Sequence, residues 1–413
     1  MPADFVSRSR VAFGLRALAL TLAAGALYRL SFAFSRLWFD YLDWANVDLR
    51  FFHRLVGEWF AGETLSGSVY PPATYAMLWP LLGWLEVPGA RLLWGATSIV
   101  LLAALALLIA RDAPAASRAH GGAWAGRLSW GLLPAAGYAT SATIGNGQLG
   151  LHVMAPLLAG FALLARARPT WTSDLAAAVL ILVSLSKPTI SAPFFWIVIF
   201  AFGRWRPATL VAGGYAALSL FAAGLRAAAL RAEVSTAATI GESVASGVRG
   251  TAIGSKEAGG GYANVHDWLT ALGLESFNLP ISLLLLGVLG VWVFRHRRDD
   301  LWILLGVAAL AGRFWAYHRL HDDLMILPAV VALFRIAVSA RDDWRTGAFV
   351  LGALVAAGSL VPAGLLFAPF PLGIVFDAIQ TAVWGAALVF LVAWAGRGTR
   401  DEVLPIPVAV PAG

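Results

Sequence analysis

The chain has 413 residues, of which 59% are hydrophobic and only 13% are charged. Its mean hydropathy is +0.75. Soluble domains carry about 25% charged residues, so a soluble fold of this length could not bury so much apolar surface. We therefore predict an all-α, polytopic membrane protein whose main partner is the lipid bilayer. The net charge of +7 does not indicate nucleic-acid binding, because the arginines form short clusters between apolar runs. The absence of cysteine excludes disulfides and thiolate metal sites.

Apolar runs of about 20 residues are typical of membrane-spanning helices, and shorter runs fit beside a cavity. The first follows Arg8, Arg10 and Arg16 without a fitting cleavage site, which indicates a retained helix. One further run, 69–86, is ambiguous, because its prolines and tryptophans favour the interface over a span. The twelve predicted spans are 17–34, 89–110, 127–143, 147–165, 174–186, 188–203, 207–230, 278–294, 301–317, 324–340, 346–366 and 372–395.

The arginine clusters decide the orientation. With 69–86 at the interface, every strong cluster falls on the side of both termini, as the positive-inside rule expects for the cytoplasm. If 69–86 spans instead, Lys187 lies within one long span, 174–200, and the clusters at Arg111–Arg127 and Arg166–Arg168 fall outside. We prefer the first arrangement, in a bacterial-type inner or plasma membrane. It forms one domain, 1–395, with a disordered cytoplasmic tail, 396–413. The external segments are then 35–88, 144–148, the break at Lys187, 231–277 and 318–323.

The first external segment contains Asp40, Asp43 and Asp48 among many aromatic residues. The aromatics should hold this segment against the apolar body. A carboxylate held there would have a raised pKa and could act as a general base, although a solvated surface acid is the simpler alternative. The pattern does not separate the three acids.

Lys187 interrupts a long apolar stretch and is followed by Pro188. Of the 30 basic residues only Lys187 and Lys256 are lysines, so arginine supplies the generic positive charge. An ionisable residue at such depth is a functional candidate, and a compact ammonium suits a phosphate oxygen. The alternative is a lysine that extends from a helix end towards the interface.

Further polar residues adjoin the external segments. Asn146 and Gln148 lie in a turn that could bind a polar ligand or be an ordinary interhelical turn. His318, Arg319 and His321 could bind an anionic group, and their segment does not specify a metal site. Arg91 could bind an anionic headgroup or anchor its helix. Neither a nucleophile elbow nor a phosphate-binding Gly-rich loop occurs, and no metal or cofactor is predicted.

Several short motifs occur in one order along the chain. They are Val47-Asp48-Leu49 before aromatics, Tyr70-Pro71-Pro72, Gly147-Gln148, Ser186-Lys187-Pro188, and Tyr317-His318-Arg319 with His321-Asp322. Between about Ala17 and Leu333 this order resembles glycosyltransferase family 87, the polyprenol-phosphate-mannose-dependent mannosyltransferases of the GT-C superfamily. Segment 231–277 departs most from the family, because its Asn264–Asp267 stretch matches only loosely.

The resemblance implies a GT-C-like bundle with interfacial helices in the first external loop and an active site on the non-cytoplasmic face. It implies an inverting transferase, with Asp48 as the general base and Asp43 in reserve. The donor is a polyprenyl-phosphate sugar, and the acceptor is a glycan or glycolipid of the cell envelope. Lys187, Arg91 and Arg319 could stabilise the leaving phosphate, with Tyr70, Asn146, Gln148 and the two histidines binding substrate. Two alternatives remain open, a GT-C transferase of a pentose or aminosugar and a lipid-linked-sugar flippase or transporter.

Overall fold

A computed structural model describes residues 3–39, 45–63, 70–112, 123–166, 168–230, 264–340, 342–369 and 371–397, with residues 238, 241, 242 and 245 between them. Within these ranges the chain is all-helical. The α-helices, in chain order, are α1 Ala3–Trp38, α2 Val47–Ala61, α3 Pro72–Leu82, α4 Val87–Arg111, α5 Ala123–Ala136, α6 Tyr138–Asn146, α7 Gly150–Leu164, α8 Trp171–Ser184, α9 Pro188–Phe200, α10 Arg206–Ala229, α11 Val265–Ala271, α12 Asn278–Arg295, α13 Leu301–Trp315, α14 Leu327–Ser339, α15 Asp342–Leu360 and α16 Leu372–Ala395. Short 3-10 helices cover Glu275–Phe277, Leu320–Ile326 and Ala363–Phe367.

Five helices in the described part are long and apolar enough to cross a bilayer: α1, α4, α10, α12 and α16. A sixth span is possible if α6 and α7 count as one, although the two are bent by 118°. The chain is therefore a multi-pass helical membrane protein, and the predicted number of twelve spans is not confirmed. The apolar runs at 174–186, 188–203 and 301–317 form helices of 14, 13 and 15 residues.

The short helices form the interior, and the long helices surround them. Helices α7, α13 and α14 are buried on nearly every face. An apolar helix buried all round is typical of a core. The long helices instead expose large apolar side chains, among them Leu20, Leu107, Leu284 and Val389. These outward faces are suited to lipid contact.

The ambiguous run 69–86 contains α3, which has 11 residues. At 1.5 Å per residue it is about 17 Å long, too short for a hydrocarbon core of about 30 Å. It begins at Pro72, where the missing N–H of proline does no harm, and packs against α10 and α2. The stacked rings of Trp59 and Tyr75, 4.3 Å apart, join α2 to α3. The first predicted loop is thus helical in its described part.

Two predicted spans are interrupted. Run 127–143 breaks at Gly137, between α5 and α6, just after Pro134. Run 324–340 starts as a 3-10 helix and becomes α-helical at Leu327-Pro328. Proline removes a backbone donor and restricts the residue before it, so an apolar run containing it often ends one helix and starts another.

Charged residues lie at the end of the bundle opposite Lys187, in a set that we call the arginine layer: Asp112, Asp174, Arg204, Arg206, Asp300 and Arg335. Asp174 in the first turn of α8 pairs with Arg204 at 3.2 Å and with Arg206 at 3.5 Å. Arg335 pairs with Asp300 at 2.7 Å. The start of α8 and the end of α9 therefore lie together, and the break between these helices lies at the other end. The 14 residues of α8 separate the two ends by about 20 Å.

Candidate active site

Three breaks between helices converge at the end of the bundle opposite the arginine layer. Gln148 follows α6, which ends at Asn146 and is capped by Gly147 with a φ of 72°. Lys187 occupies the N-cap of α9, just before Pro188. The segment from Ala316 to Ile326 follows α13 and includes the 3-10 helix Leu320–Ile326. Such breaks leave backbone and side-chain polar groups outside the regular helices, so polar residues can gather there.

Lys187 forms a buried ion pair with Asp322. Its Nζ lies 2.6 Å from Oδ1 of Asp322, and the two side chains are 8% and 1% exposed. Nζ also donates to Oε1 of Gln148 at 3.4 Å. The sequence motifs assigned Lys187 to a phosphate, whereas here a carboxylate of the protein neutralises it.

Two histidines flank the same carboxylate. Nδ1 of His318 lies 3.1 Å from Oδ2 of Asp322, and Nε2 of His321 lies 3.7 Å from Oδ1. Burial tends to raise the pKa of Asp322, but the ammonium of Lys187 and the hydrogen bond from His318 outweigh it and hold this pKa well below its usual value. Burial lowers the pKa of His321 to about 3 and lowers that of His318 as well, so both imidazoles are neutral near pH 7.

Asp48 lies beside this pair, in the first turn of α2, and is only partly buried. Burial raises its pKa, while Lys187, a hydrogen bond from Gln148 and the charge of Arg319 lower it in part. The net direction is upward. The cations that act most strongly on Asp48 are Lys187 and Arg319, and Arg319 is exposed.

Tyr70 completes the group from the segment that precedes α3. Its ring contacts Phe52 of α2 edge-on, with centroids 5.4 Å apart. Burial, and then the charges of Asp322 and Asp48, raise the pKa of Tyr70 well above its usual value, so its hydroxyl keeps its proton. A hydrogen-bond donor thus stands near both carboxylates.

The close approach of α2 to the α6–α7 turn fixes the position of Asp48. The backbone N–H of Asn46 donates to the carbonyl of Gly145 at 3.1 Å. A Cβ on Gly147 would lie 2.3 Å from Cβ of Leu49, so only glycine permits this contact. Glycine is also the residue that most readily adopts the positive φ found there.

A second buried network supports the 3-10 helix from behind. Nε of Arg313 lies 2.5 Å from Oδ1 of Asp323, and the hydroxyl of Tyr138 donates to the other carboxylate oxygen. Gln380 donates to the Tyr138 hydroxyl at 3.2 Å, and Arg313 lies over the ring of Trp384. Residues from α6, α13 and α16 therefore hold the segment that contains Asp322.

Further hydrogen bonds hold the backbone of this segment at His321 and at His318. Thr143 donates to the carbonyl of His321 at 2.9 Å. Asn264, before α11, donates to the carbonyl of His318 at 3.3 Å and bonds Asp267 through the same amide. The loosely matching Asn264–Asp267 stretch thus contacts the site through the backbone of His318.

The predicted site residues fall into three groups. Those brought together are Asp48, Tyr70, Gln148, Lys187, His318, Arg319 and His321. Asn146 instead accepts a hydrogen bond from Arg36 of α1, and Arg91 is buried in the second turn of α4, so their substrate roles stay predictions. Asp43 lies outside the described residues, as do Asp40 and the tail from 398 onwards. For the described residues, no group of three or more acids and histidines is arranged to hold a metal ion.

Sequence reasoning omitted Asp322 from the site, although it noted the dense polar stretch around it. The available signal was a buried lysine that requires a counter-ion, since an unpaired buried charge is unfavourable. Asp322 lies 135 residues away along the chain. Sequence reasoning also omitted Arg313, Asp323 and Tyr138, because a sequence does not show which buried polar groups contact one another.

Searches with protein-family models, among curated proteins and among solved structures found no match to this chain.

Proposed function

We propose that this protein is an inverting glycosyltransferase that moves a hexose, mannose by resemblance, from a polyprenyl-phosphate sugar to a glycan or glycolipid. One observation supports the proposal most. Asp48, a partly exposed acid with a raised pKa, lies within electrostatic reach of the buried Lys187 and the exposed Arg319. A base and cations at one place are the groups that this reaction requires.

The base acts on the acceptor. In a single displacement the acceptor hydroxyl oxygen attacks the anomeric carbon, the bond from that carbon to the phosphate oxygen breaks, and the hydroxyl proton passes to Asp48. An acid with a raised pKa is a stronger base once ionised than an ordinary surface aspartate. No covalent enzyme intermediate is needed, and inversion at the anomeric carbon follows.

The cations act on the leaving group. The phosphodiester becomes a phosphate monoester and gains negative charge as the bond breaks. Positive groups already in place stabilise that charge at a low cost in reorganisation. Lys187 and Arg319 take this role in the proposal, and Arg91 is a third candidate.

The membrane setting completes the proposal. The polyprenyl tail stays in the bilayer, against the exposed apolar faces of the long helices. The arginine layer faces the cytoplasm under the positive-inside rule, so the site at the opposite end faces the periplasm or cell exterior. Both termini are then cytoplasmic, and α2 and α3 lie at the outer interface of an inner or plasma membrane.

The test uses purified protein in nanodiscs with a short-chain polyprenyl-phosphate mannose and a lipid extract as acceptor. The readout is release of free polyprenyl phosphate. Asp48→Asn should reduce release by about 10²–10⁴-fold while donor binding persists, and Lys187→Ala should lose both. Glu58→Gln, on the same helix and paired with Arg54, is the matched control and should behave as wild type. Normal release from Asp48→Asn would contradict the assignment of the base.

A second candidate, a lipid-linked-sugar transporter, is favoured by one observation. Interrupted helices surround the ionisable residues, with a bend of 118° between α6 and α7 and a break at Lys187. Discontinuous helices around a charged site are typical of secondary transporters. Vesicles that move a fluorescent polyprenyl-phosphate sugar between leaflets, with no sugar released, would favour this reading. Release with a pentose or aminosugar donor, and not with mannose, would identify the other transferase alternative.

A further inference from the structure

Because Lys187 is paired with Asp322, an anionic ligand must compete with this carboxylate for the ammonium group. Nζ of Lys187 lies 2.6 Å from the carboxylate, and the pair is almost fully buried. A phosphate oxygen that approaches Nζ must share it with Asp322 or replace Asp322. Because both anions are acceptors for the same ammonium, binding of one weakens the other.

The charges around Asp322 determine what happens when the pair separates. Lys187 faces Asp322 from the break between α8 and α9. Asp48 faces it from α2, and Tyr70 faces it from the segment before α3. The two histidines and Arg319 belong to the same segment as Asp322. The neighbouring Asp323 is paired with Arg313, but burial raises its pKa to about 6, so it is ionised near pH 7.5 and partly protonated near pH 6.

Counting formal charges gives two cations, Lys187 and Arg319, and two carboxylates, Asp48 and Asp322, so the group is neutral with neutral imidazoles. A bound phosphodiester adds one negative charge. A buried charge without compensation is strongly unfavourable. One proton added to the group restores neutrality.

We propose that Asp322 is a resident counter-ion that an incoming phosphate displaces from Lys187, and that the group His318–Asp322–His321 takes up one proton as this happens. The inference rests on the proposed function only in taking a phosphodiester as the ligand. The geometry provides the path, since Asp322 already accepts from His318 at 3.1 Å through its second oxygen and has His321 on the other side.

The expected changes in the pKa values of Asp322 and of the two histidines have the direction that proton uptake requires. Lys187 is the strongest of the influences that lower the pKa of Asp322. Once Lys187 is engaged by phosphate, that pKa rises. The imidazoles, whose pKa values are lowered by burial and by Lys187, also gain affinity for a proton when the ammonium is neutralised by another anion. Proton uptake therefore accompanies anion binding.

The competition also makes Asp322 a specificity-determining residue. A neutral glycolipid offers nothing to replace the carboxylate on Lys187, so it cannot separate the pair. A ligand with a phosphate can. The ion pair thus selects phosphate-linked lipids over neutral lipids of equal size.

The test is calorimetric titration of the full-length protein in nanodiscs with a short-chain polyprenyl methyl phosphate. This diester carries one charge that does not titrate near neutral pH, so any proton exchange belongs to the protein. Titration at about pH 7.5, where Asp323 is ionised before the ligand binds, in two buffers of different ionisation enthalpy, reports proton uptake, which should approach about one per ligand for wild type. Asp322→Asn should bind about tenfold more tightly and take up no proton. Asp322→Glu should keep the uptake.

The outcomes separate the inference from the proposed function. Binding to wild type without proton uptake, or unchanged uptake in Asp322→Asn, overturns the inference and leaves sugar transfer untouched. No binding of the diester overturns it as well, while the release assay reads transfer independently. If Asp322→Asn does not fold, the wild-type uptake still decides. The double variant Lys187→Met with Asp322→Asn removes both charges and should lose binding.

Discussion

The carbonyl oxygen of Gln148 accepts a hydrogen bond from Nζ of Lys187 at 3.4 Å, and hydrogen bonding by the same side chain lowers the pKa of Asp48. One neutral residue therefore connects Asp48, the proposed base, to Lys187, the residue proposed to bind the phosphate. The amide suits this position because it offers a donor to a carboxylate and an acceptor to an ammonium at once.

This relationship gives a prediction on pH. A general base works when ionised, so turnover should fall as pH drops through the raised pKa of Asp48, above its ordinary value of 3.8. Gln148→Glu replaces the donor by a second carboxylate, which raises the pKa of Asp48 further. The acid limb of the pH–rate profile should therefore move up by about one unit. Asn146→Asp, two residues away and paired with Arg36, should leave the limb in place.

The contact between Gly147 and Leu49 gives a second prediction. Gly147→Ala adds a Cβ that overlaps Leu49, so α2 must shift and Asp48 with it. Turnover should fall by about 10²-fold, the scale expected for a misplacement of about 1 Å.

Gly203 is the matched control, because its φ is 64° and a Cβ there meets nothing within 4 Å. Gly203→Ala should reduce stability by about 1 kcal/mol through backbone strain alone and leave turnover unchanged. Equal loss of turnover in both variants would show that strain, and not the displacement of α2, is responsible.

The network behind the 3-10 helix gives a prediction on stability. Arg313→Ala leaves Asp323 buried and unpaired, so it should reduce the free energy of unfolding by about 3–5 kcal/mol. Thermal unfolding in detergent measures this loss. Arg54→Ala removes an exposed pair with Glu58 and should change stability by less than about 1 kcal/mol. Similar melting temperatures for the two variants would contradict the role given to Arg313.

The arginine layer gives a prediction about whether the two ends of the bundle act independently of each other. Asp174→Asn leaves Arg204 and Arg206 without their carboxylate and should destabilise the protein by about 1–3 kcal/mol. Because the layer lies about 20 Å from Lys187 along α8, affinity for the phosphodiester should stay within about twofold of wild type. A large loss of affinity would show that the two ends of the bundle are coupled.

The gathering of Asp48, Gln148, Lys187 and the His318–His321 segment was predictable, because alternating spans bring such segments to one end. The pairing of Lys187 with Asp322 was not, since a buried lysine requires a counter-ion but does not specify which acid supplies it. The break at Gly137 was also missed, because hydropathy measures how apolar a run is and not whether its helix continues. The runs 174–186, 188–203 and 301–317 were located correctly as helices, but at 13 to 15 residues their role as full spans is not confirmed.

Those short interior helices affect the surrounding lipid. Helix α13 has 15 residues and is about 22 Å long, whereas α4 at the periphery has 25 and reaches about 37 Å. A hydrocarbon core is about 30 Å thick. If the arginine layer stands at the headgroup level of one leaflet, the candidate site, which follows the end of α13, lies about 8 Å short of the far edge of such a core. Under the proposed function, lipid beside the site would then thin or tilt to bring a phosphate down to Lys187, and short-chain lipids would reduce the work of that deformation.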